Sequence, residues 1–364
     1  MSRLSHLLIA VFALSLAPGA NAQWSSASVF TDDGVEIGVE PRVFAVFALL
    51  NGAGYDKETV FGPAPLERPG YSQTREKLRA NVGRSSNKPI FDLIAANPGT
   101  VEQYIEAALQ LGPAPRFDAT AATSPLAKAL APALREWFNE EGGSSLVRNA
   151  NEEVKGIQKH LLPIIDKAVK GVGRMVRLGD VSEQLLDDAG AQGRVALMLN
   201  ELDAHGARTI HIVGDTTGVF VGPFRGTDDE TAAVDAVIFA FTNTMIVGEV
   251  NKLESKGTLA DGYDTVLDVV KKTWTTPKDW SRALLACAVS REVLARAAAC
   301  PGLVGDARSD VAMALIAPRL KEFAPTTTLF SAALPDLLAA PPPPPPPEAA
   351  PAPEEPKGKG KNKK

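Results

Sequence analysis

Residues 231–253 read TAAVDAVIFAFTNTMIVGEVNKL, one long apolar helix that follows a β-hairpin and carries no histidine. The hairpin before it is explicit. Arg208 to Val213 (RTIHIV) and Gly218 to Gly222 (GVFVG) flank the turn Gly214-Asp215-Thr216-Thr217. Thr227-Asp228-Asp229-Glu230 then forms an acidic helix start, which complements the positive end of the helix dipole. On the helix itself only Asp235 and Glu249 could serve as metal ligands.

The rest of the body adds more helices than strands. Val35 to Glu40 alternates apolar and polar residues, as a half-buried strand does. Pro41 suits a first helical turn, Arg42 to Asn51 reads as helix, and Gly52 closes it. Thr100-Val101-Glu102-Gln103 has a capping-box pattern and opens a helix to about Leu111. Further helices are expected over 72–82, 124–141 and 145–170, with Pro132 and Pro163 as kinks or breaks. Arg194 to Asn200 (RVALMLN) reads as a strand, and helices follow over 259–273, 277–299 and 307–323. Helices, then a small antiparallel sheet, then helices again define an α+β fold, mostly helical, whose hairpin packs beside a long central helix.

Both ends differ from this body. Arg3, the apolar run Leu7 to Ala17, the break at Pro18-Gly19 and the triplet Ala20-Asn21-Ala22 together form a secretory signal pattern. The mature chain is expected to begin at Gln23, and about eleven apolar residues fall well short of the roughly twenty that span a bilayer. The expected location is therefore the periplasm or the extracellular space. Residues 23–33 form an N-terminal segment and 34–340 the body, with a possible subdivision near 190. Pro341 to Pro347 is an unbroken proline run, and a Lys-rich tip follows it. Such a tail is a disordered spacer, or a tether whose Lys357, Lys359, Lys361, Lys363 and Lys364 meet an anionic envelope surface. Net charge is −5, which gives no electrostatic reason to expect nucleic acid as a partner.

The chain has two cysteines, Cys287 and Cys300. On one unbroken helix they would stand about 20 Å apart along the axis, too far for a bridge. They are either a disulfide across a helix break or two buried thiols. Cys300-Pro301-Gly302 ends a helix without itself folding the chain back.

No familiar catalytic pattern is present. His160 lies on a helix face, His205 in a turn and His211 in a strand, and the spacing of the last two matches no zinc site. Asp215-Thr216-Thr217-Gly218 has one residue too many for an aspartic-protease loop and is explained by turn chemistry. Gly171 and Gly173 follow a helix and are too few for a dinucleotide fingerprint. Neither a nucleophile elbow nor a phosphate loop occurs.

The order of hairpin and long helix, and the sequence Glu292-Val293-Leu294-Ala295-Arg296-Ala297, resemble exported bacterial proteins of the gluzincin metallopeptidase type. In that family the helix carries His-Glu-x-x-His, and a later helix supplies a third zinc ligand, usually Glu, followed four residues on by Arg-Ala. The resemblance sets Ala240, Phe241 and Thr244 where His, Glu and His would stand, and Glu292 in the third-ligand position. It implies a scaffold without its metal, a pseudoenzyme with no cofactor, and Phe241 filling the place of zinc.

Two functions follow from these residues. The first is a non-catalytic exported protein that binds a peptide or an envelope partner, with 218–222 as an edge strand open to β-augmentation. The second is a hydrolase built on carboxylates drawn from Asp228, Asp229, Glu230 and Glu292, which no linear motif reveals.

Overall fold

Three parallel strands form the centre of the sheet. In the computed structural model, which describes residues 29–30, 35–53, 88–97, 99–140, 142–176, 195–200, 202, 207–211, 217–222, 227–254, 257–303 and 305–340, the sheet has five strands. They are β1 (Val29–Phe30), β2 (Val35–Gly38), β3 (Val195–Leu199), β4 (Ala207–His211) and β5 (Thr217–Val221), in the spatial order β1-β2-β3-β5-β4. Val35 pairs with Val195 and Val195 with Thr217, both in parallel. A short antiparallel strand closes each side, with Val29 opposite Ile37 and Ala207 opposite Val221.

This corrects the expected small antiparallel sheet. The hairpin β4–β5 is antiparallel, but the strands it joins to are not. Parallel strands are covered on both faces, so they read as continuous apolar runs rather than alternating ones. β3 (VALML) is buried at every position, and so is β2, Glu36 included. The alternation of Val35 to Glu40 therefore does not mark a solvated face. β5 lies between β3 and β4, so 218–222 is no free edge, and the edges belong to β1 and β4.

Helices account for most of the remaining described residues. They are α1 (Pro41–Gly52), α2 (Lys88–Ala96), α3 (Val101–Leu109), α4 (Pro125–Glu140), α5 (Gly143–Met175), α6 (Thr227–Asn251), α7 (Asp268–Thr273), α8 (Pro277–Leu294), α9 (Ala307–Phe323) and α10 (Phe330–Leu337). A 3₁₀ turn, Leu259–Thr265, precedes α7 and divides the helix expected over 259–273. The capping box forms at α3, where Thr100 Oγ1 accepts from Gln103 N at 3.3 Å and Thr100 N donates to Gln103 Oε1 at 2.9 Å. Pro132 and Pro163 sit inside α4 and α5 without ending them. The helix expected over 72–82, the turn residues 212–216, His205, the boundary near 190, residues 1–28 and 341–364 lie outside the described residues.

α6 explains how the layers stack. It lies across β3, β4 and β5 on one side and packs against α8 on another, with α5 also in contact. Ala233 to Asn243 is buried without interruption, as a helix covered all round must be. Among the described residues α6 is also the one helix long and apolar enough to cross a membrane, and most of that apolar stretch is buried inside the fold. Among the described residues one apolar core joins both sides of position 190, from Val35 through Trp137 and Phe239 to Leu338.

Candidate functional site

The features that stand out surround the end of α8. The helix expected to run to 299 stops at Leu294, and Ala295 takes a left-handed conformation (φ 51°) as its cap. The chain then turns back, and Ala298 N donates to Arg296 O at 2.8 Å. That reversal brings the Cα atoms of Cys287 and Cys300 to 5.6 Å and joins them in a disulfide.

The same reversal delivers Arg296 and Ala299 to Asp235 on α6. Arg296 Nη2 pairs with Asp235 Oδ1, and Ala299 N donates to Asp235 Oδ2 at 2.8 Å. Arg296 Nη2 also reaches Thr231 O at 3.4 Å. Burial pushes the Asp235 carboxyl above the usual carboxylate range; the Ala299 N–H and the charges of Arg296 and Arg291 pull the other way without cancelling it. Asp235 is thus a structural anchor between α6 and the end of α8.

Two grooves flank that end. The first, between α5 and α8, encloses about 670 Å³, with Ile164, Lys167, Arg174 and Val293 among its lining residues. Among the described residues that line it, the side chains are apolar or cationic, and none is a carboxylate, hydroxyl, thiol or imidazole. Gly171 brings the two helices close, because a Cβ there would lie 2.8 Å from Val293 Cγ1. The second groove, between α8 and α9, holds about 630 Å³ and is of mixed charge, with Arg291, Glu292, Asp310 and Lys321. Arg296 lines both.

The positions singled out by the metallopeptidase resemblance do not share either groove. Ala240 and Phe241 are buried in the core and Thr244 is half-buried; none of the three lines either of these two grooves, whereas Glu292 lines the second. Arg296, read beside Glu292 in the sequence, pairs with Asp235 instead. Among the described residues no group of three or more His, Cys, Asp or Glu is placed to hold a metal ion. The carboxylates offered for a hydrolase come from two helices. Asp228, Asp229 and Glu230 stand in the first turn of α6, where Glu230 meets His160 of α5 at 2.5 Å, and Glu292 stands on α8. His211 falls in β4.

Sequence reasoning passed over Lys167 and Arg174. A signal for them exists: they are one heptad apart on a long helix, beside apolar and small residues at 164, 168, 171 and 175.

No known family model, curated protein or solved structure matches the chain. Its class therefore rests on its own geometry, a mostly helical protein around a mixed sheet with two open grooves at one helix end.

Proposed function

We propose that the chain is an exported, non-catalytic protein that binds a peptide segment of a partner in the groove between α5 and α8. One observation carries this reading. The groove has the size of a ligand site, about 670 Å³, yet the described residues that line it offer apolar contact and positive charge and none of the acid, hydroxyl, thiol or imidazole groups of bond cleavage. Lys167 and Arg174 attract negative charge there, and no base or nucleophile stands among the described lining residues.

Export is supported by the N-terminal pattern and by the Cys287–Cys300 disulfide, since such bonds persist in oxidising compartments. The reading does not depend on peptidase ancestry. β-Augmentation at 218–222 plays no part in it, because β5 is an interior strand.

The test uses the purified chain in two assays. Metal analysis after dialysis is expected to show no stoichiometric zinc, and labelled casein is expected to stay intact on incubation. Peptides selected from a displayed library should lose binding to an Ile164→Asp variant. Chelator-sensitive casein cleavage by metal-loaded protein would refute the non-catalytic reading.

A further inference from the structure

We infer that the groove between α5 and α8 is a docking site for an acidic amphipathic helix of a partner protein. The inference rests on the binding function just proposed and adds the chemistry of the partner.

The α5 wall has the pattern of a helix seam. Ile164, Ala168, Gly171 and Met175 follow one another at spacings of four, three and four, which places them along one stripe. Ile164 is 38 % exposed, an aliphatic side chain standing open at the groove. Half-buried Val293 and Leu294 of α8 supply the opposite wall. A helix laid between these walls would cover apolar surface on both sides, the helix-in-groove mode of peptide recognition.

Charge selects which helix. Lys167 and Arg174 flank the seam seven residues apart, a separation of about 10 Å along the axis. Both are exposed, and among the described residues neither has an ion-pair partner. Two other lysines of the same helix are neutralised from within, Lys170 by Asp166 at 3.0 Å and Lys155 by Glu152 at 2.7 Å, whereas Lys159 lies outside the groove. Among the described residues no carboxylate lines the groove, although the chain as a whole carries net charge −5. Carboxylates one heptad apart on the incoming helix would meet Lys167 and Arg174 together. The apolar seam supplies the affinity, and the charges fix orientation and reject basic helices.

The experiment uses the full chain and three synthetic peptides followed by fluorescence anisotropy. One is a heptad helix with Leu in its seam and Glu on its flanks, one has Lys in place of every Glu, and one is the Glu peptide shuffled to destroy its amphipathicity. The Glu helix should bind. The double variant Lys167→Glu/Arg174→Glu should lose about tenfold of that affinity and gain binding of the Lys helix. Both residues are exposed, and a circular dichroism melt matching the parent shows that the variant folds. Equal binding of the shuffled peptide, or affinity unmoved by the double charge reversal, would overturn the inference. So would displacement of the Glu helix by an equimolar long-chain carboxylate, which would assign the groove to a small amphiphile. Failure of all three peptides to bind, with casein intact, removes the helix partner alone, whereas metal-dependent casein cleavage removes the binding function beneath it.

Discussion

Asp235 of α6 is held by Arg296, a residue just beyond the end of α8, and the main-chain N–H of Ala299 bonds its other carboxylate oxygen at 2.8 Å. This one carboxylate ties the central helix to a reversed segment that also carries the disulfide. The two grooves meet at the same arginine, whose partner Asp235 lines neither of them.

Replacing Arg296 with Ala should destabilise the protein by about 1–3 kcal/mol at neutral pH, because the Asp235 carboxylate then keeps one donor in a buried place. The sign of its pH dependence follows from the raised native pKa of Asp235. A carboxyl that holds its proton more tightly when folded costs stability as pH rises from about 4 through its native value. The difference between parent and variant should therefore shrink in urea titrations below pH 4, where Asp235 is protonated in both states.

Reduction of Cys287–Cys300, or the double change to Ala, should cost about 2–4 kcal/mol. The unreduced chain denatured in guanidinium should show no thiol reactive to Ellman's reagent, and the reduced chain should show two. The loss should also appear as faster exchange of the Ala299 amide, whose partner is Asp235.

Glu40 and Arg42 form a second buried pair, at the N-terminus of α1. Arg42 Nε meets Glu40 Oε1 at 2.7 Å and Nη2 meets Oε2 at 3.1 Å, while Nη1 donates to the carbonyls of Leu109 and Leu111 at 3.1 and 2.7 Å. Arg42→Ala leaves the buried carboxylate with the main-chain N–H of residue 42, at 3.0 Å, in place of the guanidinium and takes that donor from two carbonyls, and should cost about 3–5 kcal/mol. The double change Glu40→Gln/Arg42→Met should cost clearly less than the sum of the single changes, a coupling that a double-mutant cycle in urea measures directly.

Gly171→Ala tests the close approach of α5 to α8. The new methyl would sit 2.8 Å from Val293 Cγ1, so overpacking of about 1–3 kcal/mol should exceed the gain of about 1 kcal/mol in helix propensity. Adding Val293→Ala should recover most of the loss in a thermal melt.

Asp306 titrates in the opposite sense to Asp235. Burial alone would raise its carboxyl, but the Ser309 hydroxyl, the Leu267 and Ser309 N–H groups and the charge of Arg308 together hold it below the usual range. Its stabilisation is present above about pH 4 and is lost as pH falls through the lowered native value. Asp306→Asn should thus cost about 1–2 kcal/mol at pH 7 and progressively less below pH 4. Ser309 also accepts from Trp280 Nε1 at 3.0 Å, so tryptophan fluorescence reports the change.

The candidate site shows why some residues were readable and others not. Lys167 and Arg174 could be found in the sequence, since both the heptad spacing and the apolar stripe beside them lie on one helix. The partner of Arg296 could not. Sequence proximity favours Glu292, four residues before it, but the left-handed turn at Ala295 points the chain back towards α6 and its buried carboxylate. Ala240, Phe241 and Thr244 were placed by order of elements alone, and that order says nothing about which surfaces become grooves.

By itself the sequence determined the elements whose signals are local. The capping box at Thr100, the pairing of β4 with β5 and the apolar length of α6 each depend on residues a few positions apart, so the chain states them directly. Tertiary structure decided what those elements meet. Val35 finds Val195 in parallel, and the cysteines reach 5.6 Å only because α8 ends early. A strand's composition says that it must be buried without naming its neighbour, and the cost of joining distant segments is repaid only when the whole core closes around them.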